Sequence, residues 1–252
     1  MMQAVIHPKY GPPEVLELRE VARPTPGDGE VLVQVQATAV NAYDWHILRA
    51  DPLLVRFMGN GFFKPVRTLI GADVAGLVEA AGENVQQFRP GDAVFGDLSK
   101  CGGGGYAEYV AVPESALALK PANLSFPEAA ALPMAAVTAL QGLRDLGRLQ
   151  PGMQVLINGA SGGVGTFAVQ IAKVLGAEVT AVCSTGKMEQ ARGLGADRVI
   201  DYTKEDFTQN GRCYDLILGV NGYHPLPAYM GALSPGGIYV MAGGSNAQIF
   251  QA

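Results

Sequence analysis

Six residues, Ala160-Ser161-Gly162-Gly163-Val164-Gly165, join an apolar run, Val155-Leu156-Ile157, to a stretch of helical periodicity, Val164 to Leu175. A glycine-rich turn of this kind leaves backbone N–H groups exposed at a helix N-terminus, where the helix dipole also favours an anion. A strand, this turn and a helix, in that order, are what distinguish a dinucleotide pyrophosphate site from a mere loop. Set against G-x-G-x-x-G, Ala160 takes the first position, Gly162 the second and Gly165 the third. Gly162 then admits a pyrophosphate close to the backbone and Gly165 lets the helix pack on the strand. Ser161, Gly163 and Val164 complete the expected cradle.

The end of the next strand decides which dinucleotide is expected. Sites that bind the ribose 2′-hydroxyl carry an acid about 20 residues past the turn. Here the segment reads Cys183-Ser184-Thr185-Gly186-Lys187. Small hydroxyls with a lysine can receive a 2′-phosphate that a carboxylate would repel, so Ser184 and Lys187 point to NADPH. The plainer alternative makes Lys187 a solvated residue in a first helical turn. Tyr202, after the third strand, is placed near the adenine edge of the same site.

These residues need a frame. Up to about residue 120 the pattern is of short strands and loops: Val31, Val33, Val35 and Ala37 alternate with Gln34, Gln36 and Thr38, which buries one face of a sheet. Pro and Gly punctuate this half at 11–13, 24–27, 90–92 and 102–105. Beyond Pro121 an Ala-rich helical stretch, Phe126 to Asp145, leads into alternating elements. Strands are expected at Val155–Ile157, Glu178–Cys183, Arg198–Ile200, Tyr214–Leu218 and Ile238–Met241. Helices are expected at Val164–Leu175, Lys187–Leu194 and Leu226–Leu233. Short apolar strands with helical crossovers predict a parallel, doubly wound sheet. A second helical start, Ala247 to Ala252, is cut off before two turns, so the fold is abbreviated or the sequence is a fragment.

With 252 residues the chain suits two modest domains. Charged residues are 16% against about 25% in ordinary soluble domains, and the net charge is −5 with no Lys/Arg block, which argues against nucleic acid and anionic lipid as partners. A small molecule is the expected partner. Three scattered cysteines, Cys101, Cys183 and Cys213, fit neither a disulfide framework nor a local metal clip, and the start is not a signal peptide. The longest apolar region, Ala129 to Leu140, is shorter than the roughly 20 residues of a membrane helix. A cytoplasmic protein is expected.

Five ordered segments, Asn41-Ala42-Tyr43-Asp44-Trp45, residues 71–76, residues 88–94, residues 105–109 and Asn158 to Gly165, resemble the medium-chain dehydrogenase/reductase superfamily. The likeness is to its zinc-free quinone-oxidoreductase branch, and the Asn-x-x-Asp-Trp element resembles the plant chloroplast-envelope group and its bacterial relatives. The resemblance implies an α/β chain with a GroES-like β-rich catalytic domain at 1–122 and a Rossmann NADPH-binding domain at 123–252, with the active site in the cleft between them. In the family the chain returns to complete the catalytic domain, so an end at Ala252 leaves the sheet cut short and keeps a homodimer and part of the substrate pocket open. The resemblance also places Asn41 on the nicotinamide end or the substrate carbonyl, Thr138 on the nicotinamide ribose or amide, and Gly243 and Ser245 on the nicotinamide side. Tyr43 is a candidate proton donor, and Asp44 a site residue that either takes part or positions Asn41. Asp73 is read as structural.

Zinc-dependent relatives use a cysteine where Asn41 stands and a histidine where Ala72 stands, and Met134 falls at the third ligand position. An amide and a methyl group cannot replace thiolate and imidazole, so no metal is expected. Without a Lewis acid, alcohol oxidation loses its electrophile. The expected reaction is hydride transfer from NADPH to a quinone or an α,β-unsaturated carbonyl compound. A non-catalytic NADPH-binding or interaction protein, or an inactive fragment of the reductase, is the alternative. A short-chain dehydrogenase is disfavoured, since no tyrosine has a lysine four positions on. The apolar loop Leu48 to Arg67, with neighbouring Trp45, either covers a hydrophobic acceptor through Phe57, Met58, Phe62 and Phe63 or simply packs.

Overall fold

The computed structural model describes residues 1–53, 55–57 and 61–243; Met58, Ser245 and the helical start at Ala247 lie outside them. The chain folds as two compact units, Met1–Met134 and Ala135–Ala252.

In the first unit β1 (Met2–Ile6) and β2 (Glu17–Val21) form an antiparallel pair. A second, five-stranded sheet is built from β3 (Glu30–Ala37), β4 (Asp73–Ala81), β5 (Ala93–Asp97), β6 (Tyr109–Pro113) and β7 (Leu117–Leu119), in the order β6-β3-β4-β5-β7. Every pairing in it is antiparallel. The alternation read in residues 31–37 puts Val31 and Val33 into a core with Val74, Val78, Val94, Val110 and Val112. Each such fully buried side chain contributes about 1.5–3 kcal/mol.

Sequence periodicity did not point to α1 (Ala42–Arg49), two turns running from Asn41 as N-cap to Ala50, whose φ of 51° ends the helix. A short α2 (Phe126–Ala130) starts at a Ser125/Glu128 capping box and packs on β3, β4 and β5. That packing carries the first unit past residue 122, and the division falls within α3 (Pro133–Leu140). The Ala-rich stretch expected as one helix is thus α2, α3 and a π-helical continuation, Gln141–Leu146.

The second unit is a parallel sheet of β8 (Gln154–Asn158), β9 (Glu178–Cys183), β10 (Arg198–Asp201), β11 (Tyr214–Gly219) and β12 (Leu233–Met241), in the order β10-β9-β8-β11-β12. By position in the chain that is 3-2-1-4-5, the order of a dinucleotide-binding sheet. One face buries Val155, Ile157, Val179 and Leu216 under α4 (Gly163–Val174); the other buries Leu156, Val182, Ile200 and Ile217 with Phe207 and Tyr229. Both faces are covered, which is why these strands read as continuous apolar runs. The crossovers are completed by α5 (Met188–Gly193) and α6 (Leu226–Gly231). Among the described residues no helix is long and apolar enough to cross a membrane.

Candidate functional site

In the second unit the turn between β8 and α4 has the form the sequence suggested, with one correction. The sharp reversal is made by Gly159, whose φ is +93°, and not by Ala160, which is fully buried with its N–H on Val182 O (3.0 Å). Glycine is required there because the backbone enters the left-handed region. Gly165 is required for another reason: a Cβ on it would lie 2.1 Å from Gly159 O and 2.7 Å from Ala160 Cα. This is the helix-to-strand packing role assigned to it.

Gly162, the N-cap of α4, and Gly163 are different. An added Cβ would meet nothing nearer than 3.7 Å and 4.0 Å respectively, and neither has positive φ, so nothing in the protein itself demands glycine. The first helical bond runs from Thr166 N–H to Gly162 O (2.9 Å), which leaves the N–H groups before it without intrahelical partners. Small residues around open space at a helix N-terminus are what a pyrophosphate needs. A cavity of about 220 Å³ opens here, lined by Ser161, Gly162, Ser184 and Tyr202.

The same cavity takes in Asn158 and Gly159, from the segment that carries the resemblance, and three residues the sequence did not point to, Val220, Asn221 and Tyr223. Asn158 O accepts from Val220 and Asn221 N–H (2.9 and 3.2 Å), and Asn221 Nδ2 donates to the Tyr223 hydroxyl (2.9 Å). A polar residue, Asn221, two positions after the end of the apolar run of β11 was the available signal. Lys187 is exposed, at the end of a 3₁₀ turn (Thr185–Lys187) capped by Ser184, and does not line the cavity. Thr138 is half-buried on α3. Gly243 follows β12, where a Cβ would come within 2.4 Å of Val220 O, and Ser245 lies outside the described residues.

In the first unit two carboxylates organise the other expected residues. Asp44, on the first turn of α1, accepts from Asn41 N–H (2.8 Å) and the Tyr106 hydroxyl (2.9 Å) with Oδ2, and from Ala72 N–H (2.9 Å) with Oδ1. Asp73 accepts from Asn41 Nδ2 (2.8 Å) with Oδ2 and from Met134 N–H (2.9 Å) with Oδ1. Asn41, Ala72 and Met134, the three places where zinc relatives put ligands, are therefore held by carboxylate hydrogen bonds. The donor set does not suit zinc: Met134 and Ala72 take part only through backbone N–H groups, and the Asn41 amide nitrogen is committed to Asp73. Among the described residues no three His, Cys, Asp or Glu side chains gather as a metal site.

The same bonds fix the Asn41 amide. With Nδ2 turned to a carboxylate, Oδ1 is the side chain's acceptor, facing the Asp44 N–H of the capping box and keeping a second lone pair for a ligand. Burial pushes Asp73 up to about 6, against the hydrogen bonds from Asn41 and Met134, and the charges of Asp97 and Asp44 add to the rise. Burial also raises Asp44, opposed by hydrogen bonds from Asn41, Tyr106, Ala72 and Gly71. Tyr43, half-buried with its hydroxyl on Ser99 O (3.1 Å), is raised by burial and then by Asp44 and Asp97, so it keeps its proton at neutral pH. A recess of about 30 Å³ adjoins Tyr43 and Asp44. A larger one, about 410 Å³, adjoins it through Arg67, Leu69, Gly102 and Gly103 and is lined by none of the expected site residues.

The aromatics of the loop do not pack inward. Phe63 is 89% and Phe57 66% exposed, and Phe62 meets both edge to face. Met58 lies outside the described residues.

Two family descriptions match the chain: an alcohol dehydrogenase GroES-like domain over residues 27–122 and a zinc-binding dehydrogenase over residues 163–251. The 2-methylene-furan-3-one reductase of Solanum lycopersicum is 41% identical over 225 residues, 86% of this chain and 56% of that protein. A chloroplastic quinone-oxidoreductase homolog of Spinacia oleracea is 37% identical over 235 residues, 88% of this chain and 69% of that one. Among solved structures, an alcohol dehydrogenase superfamily protein from Novosphingobium aromaticivorans superposes with a TM-score of 0.83 at 36% identity, over 96% of this chain and 72% of its own. The chain thus spans little more than half of the tomato relative's length. Its two sheets, its nucleotide turn and these matches place it in the medium-chain dehydrogenase/reductase superfamily of nicotinamide-dependent oxidoreductases, in the quinone-oxidoreductase-like branch.

Proposed function

We propose that the chain binds NADPH and reduces a quinone or an α,β-unsaturated carbonyl compound without zinc. The observation that carries this is the pair of carboxylates binding Asn41, Ala72 and Met134 to one another at the zinc-ligand positions. The names of the tomato and spinach relatives, a 2-methylene-furan-3-one reductase and a quinone-oxidoreductase homolog, support the substrate class.

Bound at the turn, reduced nicotinamide supplies a hydride. The chain's part is to bind and orient. Ser161, Gly162, Gly163 and Val164 with Ala160 offer the pyrophosphate a cradle of backbone N–H groups, and Ser184 and Lys187 offer the 2′-phosphate a hydroxyl and a cation. Tyr202 borders the adenosine end, and Thr138, Gly243 and Ser245 are assigned to the nicotinamide side. Asn41 presents an oriented carbonyl oxygen that suits a carboxamide or ribose hydroxyl rather than an oxyanion. As the acceptor gains hydride at carbon, charge develops on its oxygen, and the neutral Tyr43 phenol, turning its O–H from Ser99 O, is the proposed donor to it. Asp44 positions Asn41. The three free thiols suit a reducing compartment, in keeping with a cytoplasmic protein.

NADPH oxidation with a panel of quinones and enones tests the reading. Wild-type chain is expected to turn over, and Asn41→Ala to lose about tenfold or more in turnover with NADPH affinity changed less than about threefold. Tight NADPH binding with no turnover would replace the enzyme by a binding module; unchanged turnover in the variant would remove Asn41 from the reaction.

A further inference from the structure

We propose that Asp201 sets the cofactor preference of the cradle by fastening together the two loops of its rim, one carrying Ser184 and Lys187 and the other Tyr202. The inference rests on the NADPH reading above.

Asp201 is the last residue of β10, paired in register with Cys183, the last residue of β9. Its side chain is 6% exposed and its acceptors are occupied. Oδ2 accepts from Thr185 Oγ1 at 2.5 Å and faces Lys204 Nζ at 3.5 Å. Oδ1 accepts from Thr203 Oγ1 at 2.7 Å and from Thr203 N–H at 3.1 Å. Thr185 and Thr203 therefore meet on one carboxylate, and their hydroxyls lie 3.3 Å apart. The backbone ties the loops as well: Tyr202 N–H donates to Cys183 O at 3.2 Å.

Two consequences follow for a nucleotide. Thr185 opens the 3₁₀ turn that begins at Ser184 and ends at Lys187, whose own N–H returns to Ser184 O at 2.9 Å. Holding the Thr185 hydroxyl holds the turn, so the ordering of Ser184 and Lys187 is met by the fold rather than by the ligand. Second, a carboxylate at this rim with free acceptors would otherwise take a ribose 2′-hydroxyl, the bond that favours a cofactor without the 2′-phosphate. Hydroxyl bonds from Thr185 and Thr203 keep the carboxyl down at about 2, so it stays ionised and committed to the loops. The sequence offered Thr185 only among the small hydroxyls of residues 183–187 and did not reveal its bond to Asp201, because the two are 16 residues apart and only the parallel register joins them.

The test is Thr185→Val, which removes the donor with little change of shape, beside Thr185→Ser, which keeps it. Affinities for 2′,5′-ADP, NADPH and NADH are measured by titration, with a thermal midpoint for each protein. Thr185→Val is expected to lose about tenfold for 2′,5′-ADP and NADPH but less than about twofold for NADH, and Thr185→Ser to stay near wild type. An unchanged NADPH to NADH affinity ratio in folded Thr185→Val overturns the role of Asp201. Should that variant not fold, Thr203→Val decides in the same way. Wild-type chain that binds NADH as tightly as NADPH overturns the NADPH reading itself.

Discussion

Asp73 spends one carboxylate oxygen on the Asn41 amide and the other on the Met134 N–H, and these two bonds decide which atom Asn41 has to offer. They also link the site to pH. The folded chain holds the Asp73 proton to about pH 6, above the ordinary aspartate value of 3.8. A raised value means that the folded state binds the proton more tightly than the unfolded one. The stabilisation is complete below about pH 4 and is lost as pH rises through 6, by up to about 3 kcal/mol. Asp73→Asn is therefore expected to remove part of the fall in unfolding free energy between pH 4 and 6, read as the difference from wild type in denaturant titrations. Identical slopes would show that Asp73 does not titrate there. Its partners were beyond the reach of the sequence, lying 32 and 61 residues away. Asp44 was readable in part, because an acid three residues after an N-cap asparagine returns to the N-cap N–H, as it does here.

At the scale of elements, the β8 turn shows what a glycine pattern specifies and what it leaves open. Gly165 faces Gly159 O so closely that Gly165→Ala must push α4 off the turn. The variant is expected to lose about 1–3 kcal/mol of stability and at least about tenfold in NADPH affinity, by denaturation and titration. A folded, tightly binding Gly165→Ala would deny the helix-to-strand contact its role. The five parallel strands were legible because both faces are buried, so each reads as an apolar run. Three features were not. In α1, eight residues mix Tyr, Asp, His and Arg with Trp, Ile and Leu, too short a run to establish a period. The break between α2 and α3 is set by how α2 seats on the first sheet, and β12 begins at Leu233 through a bulged pairing that Pro235-Gly236-Gly237 conceals. The tight turn is made by Gly159, one residue before the pattern's first position at Ala160, because the backbone there takes a positive φ.

For the whole molecule, composition carried the broad answer. A net charge of −5 with 16% charged residues pointed to a small-molecule partner, and the second unit carries a cavity of about 220 Å³ at its glycine-rich turn. On the proposed reading, the residues at three positions, Asn41, Ala72 and Met134, are what sets this chain apart from zinc-dependent alcohol dehydrogenation. The central claim, reduction without zinc, is tested most directly by elemental analysis of the same purified sample whose NADPH oxidation is assayed with a quinone or an enone. Turnover in protein that carries no stoichiometric zinc, unaffected by a chelator, is the expected result. Turnover that appears only with stoichiometric zinc, and is lost when the zinc is removed, would contradict it.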